Sequence, residues 1–149
     1  MHLHHKEHDP AEELRALDYF AALPHEHLRF AGQHADWTVV TAGTRLQKRG
    51  HAVQWLWVAA DDPLELHVEG VAVDTVAPGA AFGEAFLLLD MASPVDVVAP
   101  VDTRAVSLPS RVFHGLLADA RFAAEAARRQ ARFRVAPPTP VRAPRGSFA

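Results

Sequence analysis

The sequence contains no cysteine among its 149 residues. This absence excludes disulfide bonds, a thiol nucleophile, thiolate zinc sites and cysteine-held iron–sulfur clusters. Long apolar runs are missing as well, since none approaches the roughly 18 residues needed to span a bilayer. The polar, His-rich N-terminus also lacks the pattern of a secretory signal. We therefore expect a cytoplasmic protein with a single domain and no membrane span.

Positive charge is absent from the middle of the chain. Between His51 and Thr103 there is no Lys or Arg, against 9 Asp and Glu, whereas from Arg104 onward there are 9 Arg and 2 Asp and Glu. A site built only from the middle segment would therefore repel anions. We expect the basic end to contact a partner protein or a second copy. The alternatives are docking on this protein's own acidic barrel, a solvated surface, and contact with nucleic acid or anionic lipid. The arginines assigned to this contact are Arg128, Arg129, Arg132, Arg142 and Arg145.

The hydrophobic periodicity changes twice along the chain. Between Pro10 and Ala31 apolar residues recur at helical spacing, and from Trp37 the period becomes two. The helical period returns after Ser110. Short strands at roughly 8–12-residue spacing predict an antiparallel barrel or sandwich, with a short helix inside residues 82–89. We expect one domain over residues 10–134, with disordered ends at 1–9 and 135–149.

Five short motifs occur in a fixed order along this domain. They are Phe20–Leu23 before a second helix, the glycines Gly43 and Gly50, Pro78–Ala85, the Val97-Val98-Ala99 strand and Phe113–Leu117. Their order and spacing resemble those of the cyclic nucleotide-binding domain, whose "G-x-x-F-G-E" signature opens a phosphate-binding cassette. The resemblance implies a mainly β jelly roll with an N-terminal helix pair and C-terminal helices. It also implies a regulatory, signalling role that involves no catalysis.

The resemblance further implies a cyclic nucleotide site in the barrel. Its residues in this sequence are Phe82, Gly83, Glu84, Ala85, Ser93, Val95 and Asp96. Gly83 would let the backbone approach the phosphate, and Glu84 would accept a hydrogen bond from the ribose 2′-hydroxyl. The family's phosphate-binding arginine falls on Ser93, and its small hydroxyl residue falls on Asp96.

These two departures weaken the predicted site. A like charge at 4 Å costs on the order of 4 kcal/mol at an effective dielectric of about 20. The dipole of a helix N-terminus offsets only about 0.3–1 kcal/mol of that cost. We therefore expect nucleotide binding to be weakened or lost, and residues 82–84 to be retained as a turn and helix start.

Two other functions remain open at this point. The first is a genuine cyclic AMP or cyclic GMP sensor in which a distant arginine neutralises the phosphate. The second is a cupin-like metal enzyme, for which His67 and Glu69 on one strand are the nearest approach to a metal-ligand pattern. We expect no catalytic residues, no metal site and no resident cofactor. We also expect no DNA-binding domain, because about 16 residues follow Phe133. Trp55 and Trp57 are predicted to lie in the core.

Overall fold

A computed structural model describes residues 9–135, with side chains described for residues 9–129. Its first elements are helical. Helix α1 (Pro10–Arg15) begins with Pro10, and the Asp9 carboxylate caps it by accepting a hydrogen bond from the amide of Ala11 at 3.0 Å. A short 3-10 helix (Asp18–Phe20) and helix α2 (His25–His34) follow. The predicted N-terminal helix pair is therefore confirmed. The disorder predicted for residues 1–8 and 136–149 lies outside the described residues.

Eight short strands follow the helix pair. In chain order they are β1 (Asp36–Val40), β2 (Arg45–Gln47), β3 (Trp55–Ala59), β4 (Leu64–Val68), β5 (Val71–Val76), β6 (Ala81–Phe82), β7 (Asp96–Val98) and β8 (Thr103–Pro109). They form two antiparallel sheets, sheet 1 in the order β1-β8-β3-β6 and sheet 2 in the order β2-β7-β4-β5. This arrangement confirms the predicted antiparallel architecture.

Three further helices lie within residues 84–135. Helix α3 (Glu84–Leu89) lies between β6 and β7, inside the predicted range of residues 82–89. Helices α4 (Ser110–Leu116) and α5 (Ala120–Val135) follow the last strand. In the part of the chain that the structure describes, no helix is long and apolar enough to cross a bilayer.

The hydrophobic core joins the helices to both sheets. Leu14 and Leu28 from the N-terminal helices, Val106 from sheet 1 and Val97 from sheet 2 are fully buried in one cluster. Phe122 near the start of α5 belongs to the same cluster. Helix α5 is therefore fixed to the body of the domain by apolar burial, which also fixes where its charged side chains can reach.

The two tryptophans of β3 differ in their surroundings. Trp57 is buried and pairs across the strands with Phe82, whereas Trp55 is 41% exposed. The prediction of a core position is confirmed for Trp57 and wrong for Trp55. Strand β6 has only two residues and pairs with positions 57 and 58, so it does not extend along β3 as far as Trp55.

Candidate functional site

A glycine at the start of α3 brings this helix against β3. Gly83 has a φ of +116°, and a Cβ placed on it would lie 3.1 Å from the carbonyl oxygen of Trp55. A side chain is therefore excluded both by the backbone conformation and by the close approach. Phe82 just before it is buried, with its ring 5.6 Å from that of Phe86. These contacts fix the position of Glu84, the first residue of the helix.

The Glu84 carboxylate accepts three hydrogen bonds from two side chains. The Tyr19 hydroxyl donates a hydrogen bond to Oε2 at 2.5 Å, and Arg129 donates from Nε to Oε1 and from Nη2 to Oε2, both at 2.7 Å. The guanidinium carbon of Arg129 also lies 4.8 Å from the centre of the Tyr19 ring. A two-pronged guanidinium–carboxylate pair of this kind is strong and directional. We call Tyr19, Glu84 and Arg129 the Glu84 network.

This network joins three parts of the fold in a place with little solvent. Tyr19 comes from the 3-10 helix, Glu84 from α3 and Arg129 from the third turn of α5. The Glu84 side chain is 11% exposed and that of Arg129 is 28% exposed. The ion pair therefore holds α5 against the start of α3, with less screening than a surface pair has.

The protonation of the network follows from its geometry. Burial, followed by the adjacent charge of Glu84, raises the pKa of Tyr19 well above its ordinary value. Burial lowers the pKa of Arg129, but the hydrogen bonds and charge of Glu84 outweigh that effect and raise it overall. Tyr19 is therefore a lasting proton donor to Glu84, and Arg129 is a lasting cation.

Ser93 lies at the other end of the predicted cassette and has a structural role. Its side chain is buried, and its hydroxyl donates to the carbonyl of Val95 at 2.6 Å and accepts from the amide of Val95 at 3.2 Å. Its backbone also pairs with Gly50 and His51 of the preceding loop. Ser93, on which the resemblance places the phosphate-binding arginine, thus closes a turn.

The carboxylate of Asp96 serves the neighbouring loop. Its Oδ1 accepts a hydrogen bond from the amide of Arg49 at 2.7 Å and lies 3.7 Å from Nη1 of Arg45. Because Val97, the next residue of β7, is fully buried, Asp96 faces the opposite side of the strand from the core. Strand alternation therefore turns this carboxylate away from the core, and the repulsion expected between Asp96 and a ligand inside the barrel stays a prediction.

The structure separates the arginines that were predicted to contact a partner. Arg129 binds Glu84 within the chain, an assignment that the sequence did not reveal. Arg128 is 62% exposed and pairs with Glu125 at 2.5 Å. The side chain of Arg132 and residues Arg142 and Arg145 lie outside the described part, so their contact with a partner stays a prediction.

His67 and Glu69, which were considered as metal ligands, are not paired with each other. His67 Nε2 lies 2.9 Å from Oε1 of Glu65 on the same strand. Glu69 is exposed in the turn after β4, and its carboxylate lies 3.5 Å from Nη1 of Arg49. Within the described side chains, no group of three or more His, Asp or Glu residues could hold a metal ion.

Sequence reasoning missed Tyr19 entirely, and it missed the pairing of Arg129. Tyr19 precedes Glu84 by 65 residues and Arg129 follows it by 45, so no local spacing connects the three. The one local signal is the i,i+4 pair Glu125–Arg129, at 3.4 Å, which marks a charged stripe on α5. That stripe gives no indication of the element it faces.

Comparisons with known proteins find similar solved structures but no matching sequence family. A scan against protein-family models finds no match, and a search of the curated proteins finds none either. A putative cyclic nucleotide-binding protein from Geobacter metallireducens is similar with a TM-score of 0.70 at 20% identity, covering 85% of this chain and 96% of its own. The regulatory subunit of a cAMP-independent protein kinase A from Trypanosoma brucei has a TM-score of 0.70 at 17% identity, covering 81% of this chain and 44% of its own.

The cAMP-bound PfPKA-R is similar with a TM-score of 0.65 at 17% identity over 72% of this chain. The present chain spans 38% of the length of that chain. At these identities the likeness shows the fold alone. The chain has the fold of cyclic nucleotide-binding domains, and its two four-stranded sheets with flanking helices match that architecture.

Proposed function

We propose that this chain is a non-enzymatic regulatory domain in which helix α5 closes the former nucleotide cassette, so that cyclic nucleotides bind weakly. The observation that carries this proposal is the Glu84 network. The carboxylate that would accept a ribose hydroxyl already accepts three hydrogen bonds, from Tyr19 and Arg129. Two of them come from a guanidinium in the two-pronged geometry.

Magnitudes support weak binding. A ribose hydroxyl is a neutral donor and would have to compete with the Arg129 guanidinium, whose hydrogen bonds to Glu84 join two charged groups. The slot at Ser93 supplies no cation, and losing a charged hydrogen-bond partner costs roughly 1.5–3 kcal/mol, or about one to two decades of affinity. Weak binding is therefore expected from the occupied Glu84 carboxylate and the missing cation at Ser93, without repulsion from Asp96. Dissociation constants for cyclic AMP and cyclic GMP are expected in the millimolar range.

A second candidate function is favoured by the position of Arg129. Its guanidinium is the cation that the fold brings beside α3, and it could pair with a cyclic phosphate if it left Glu84. The chain would then be a cyclic nucleotide sensor with its phosphate cation on α5. Among proteins of similar structure, one is described with bound cAMP and another as cAMP-independent, so the fold accommodates both behaviours.

Calorimetric titration of cyclic AMP and cyclic GMP into three proteins separates the two functions. The wild type is compared with Arg129→Gln and with the matched control Arg128→Gln, which removes the adjacent charge but leaves Glu84 paired. The regulatory proposal expects binding to tighten about tenfold in Arg129→Gln, because Glu84 becomes available. The sensor expects binding to be lost in Arg129→Gln only. Low-micromolar binding to the wild type overturns the first proposal.

The regulatory domain is proposed to act in the cytoplasm through a partner protein or a second copy. The basic end of the chain, with Arg132, Arg142 and Arg145, would supply that contact. Deleting residues 136–149 is expected to weaken association measured by sedimentation at low salt. Raising the ionic strength should have the same effect, because screening shortens the reach of surface charges. Association that is unchanged by both treatments would contradict the role of the basic end.

A further inference from the structure

A cavity of about 500 Å³ lies outside the barrel, between residues 18–23 and the first half of α5. Its volume falls in the range of pockets that hold small molecules, roughly 300–1,000 Å³. None of the residues assigned to the nucleotide cassette lines it. The cavity therefore lies beside the predicted nucleotide site, and the two side chains that bind Glu84, Tyr19 and Arg129, belong to its lining.

The floor of the cavity is apolar. Tyr19 and Phe122 meet edge to face with ring centres 5.8 Å apart, and Leu23 is buried beside them. Ala22 and Ala124 add two small side chains to the lining. This floor suits the apolar or aromatic body of a ligand, which would gain by leaving water.

The charged groups of the lining balance. Three carboxylates, of Asp18, Asp119 and Glu125, face three guanidinium groups, of Arg121, Arg128 and Arg129. A ligand with a net charge of either sign would therefore meet as many like charges as opposite ones. A ligand that carries both charges is the one this lining matches.

Most of these charges already have partners. Glu125 pairs with Arg128, Arg129 pairs with Glu84, and Asp119 caps α5 by accepting from the amide of Phe122 at 2.9 Å. Asp119 also lies 3.7 Å from His27.

Asp18 and Arg121 differ from the other charged lining residues. Both are exposed, and neither forms an ion pair with any side chain between residues 9 and 129. Asp18 lies on the 3-10 helix and Arg121 on α5. One acceptor of an ammonium group and one donor to a carboxylate are thus left open at the rim of an apolar floor.

We propose that this cavity is a ligand site for a small zwitterion with an apolar body, of the class of apolar dipeptides. The ammonium group would pair with Asp18, the carboxylate with Arg121, and the side chains would rest on Tyr19, Leu23 and Phe122. Such a ligand would bridge the 3-10 helix and α5, two of the three parts that the Glu84 network joins. This proposal goes beyond the function of the cassette, although the cavity shares Tyr19 and Arg129 with the Glu84 network.

The test compares three forms of one probe. Leucyl-phenylalanine, its N-acetyl derivative and its C-terminal amide share one apolar body and differ only in the charges of their ends. Calorimetry is expected to give a dissociation constant below about 1 mM for the zwitterion and roughly tenfold weaker binding for each derivative. No binding of the zwitterion, or equal binding of all three, overturns the proposal.

Variants of the protein locate the site. Asp18→Asn should weaken the zwitterion to the affinity of the N-acetyl derivative, and Arg121→Gln should weaken it to that of the amide. Ala22→Trp should fill the cavity and abolish binding without changing charge. Arg111→Gln, an exposed arginine of α4 outside the lining, is the matched control and should bind like the wild type. If the control loses as much affinity as Arg121→Gln, surface charge and not this cavity binds the probe.

Discussion

The two ends of the cassette have been put to different uses. At the helix end, Gly83 and Glu84 keep the close backbone approach, and the carboxylate joins three parts of the fold through Tyr19 and Arg129. At the strand end, the side chains of Ser93 and Asp96 form hydrogen bonds with the local turn and the neighbouring loop. The comparison teaches that one segment can fix the backbone at a helix start through a glycine while its polar side chains form hydrogen bonds within the protein.

The helix end should be the more sensitive to substitution. Gly83→Ala is expected to destabilise the fold by about 2–4 kcal/mol, because a left-handed conformation is combined with a backbone contact at 3.1 Å. Gly70→Ala is the control, since Gly70 has a φ of +82° with open space around it, and it should cost about 1–2 kcal/mol. Urea unfolding measures both. Equal costs would mean that the contact with Trp55 relaxes freely.

The ion pair of the Glu84 network gives the next largest effect. Arg129→Gln should cost about 1–3 kcal/mol, less than a fully buried pair because both side chains keep some exposure. Glu84→Gln in the same background should cost little more, since the two residues act as one unit. A double-mutant cycle by urea unfolding measures this coupling. Strictly additive effects would show that Arg129 stabilises the fold by another route.

The free energy of unfolding at alkaline pH tests the burial of Tyr19. Its folded pKa is raised, so its contribution is fully present below the unfolded value of about 10 and is lost as the pH rises above that value. The loss should approach about 1.4 kcal/mol per pH unit and should be absent in Tyr19→Phe. The chain contains a single tyrosine, so tyrosinate absorbance follows this residue alone. Ionisation of the native protein near pH 10, as in urea, would contradict the burial argument.

At the strand end, Ser93→Ala tests a single hydroxyl. The change should cost about 1 kcal/mol, since one buried carbonyl and one amide lose their shared partner. Thermal or urea unfolding is the measurement. A cost as large as that of Arg129→Gln would erase the difference between the two ends.

The smallest effect is expected for Asp96→Asn. The amide oxygen still accepts from Arg49, and the side chain faces away from the core, so affinity for cyclic AMP should change less than about twofold. Calorimetry against the wild type measures it. A tenfold gain in affinity for cyclic AMP would show that Asp96 faces the inside of the barrel and repels the ligand, as first expected from the sequence.

Local periodicity predicted the elements of the fold well. The alternation in Leu64–Val68, the short helix after Gly83 and the return to helix at Ser110 all correspond to structural elements. These features depend on nearest neighbours along the chain, and the side-chain period reports them directly. Burial was less predictable: Val71 and Val73 are exposed because β5 is the last strand of its sheet.

The candidate site was predictable only in its backbone. The turn at Gly83 and the position of Glu84 followed from a local motif, whereas the partners of Glu84 come from distant segments. Side chains alternate along β7, and the buried Val97 places Asp96 on the side away from the core. The sequence alone does not show which of the two sides is buried. The sequence shows only that carboxylates occur near the site. The fold shows that Glu84 binds Tyr19 and Arg129, whereas Asp96 binds the neighbouring loop.

The position of β8 has a consequence for how the chain reaches this structure. β8 is the last strand to be synthesised, yet it lies between β1 and β3 and pairs with both. Sheet 1 therefore cannot assemble on the ribosome until the chain has been made through Pro109, whereas the β4–β5 hairpin can pair at once. Closing such distant pairs is slow because loop entropy must be lost before the contacts form. Until then β1 and one edge of β3 lack their partner strand, and unpaired strand edges favour aggregation of partly folded chains.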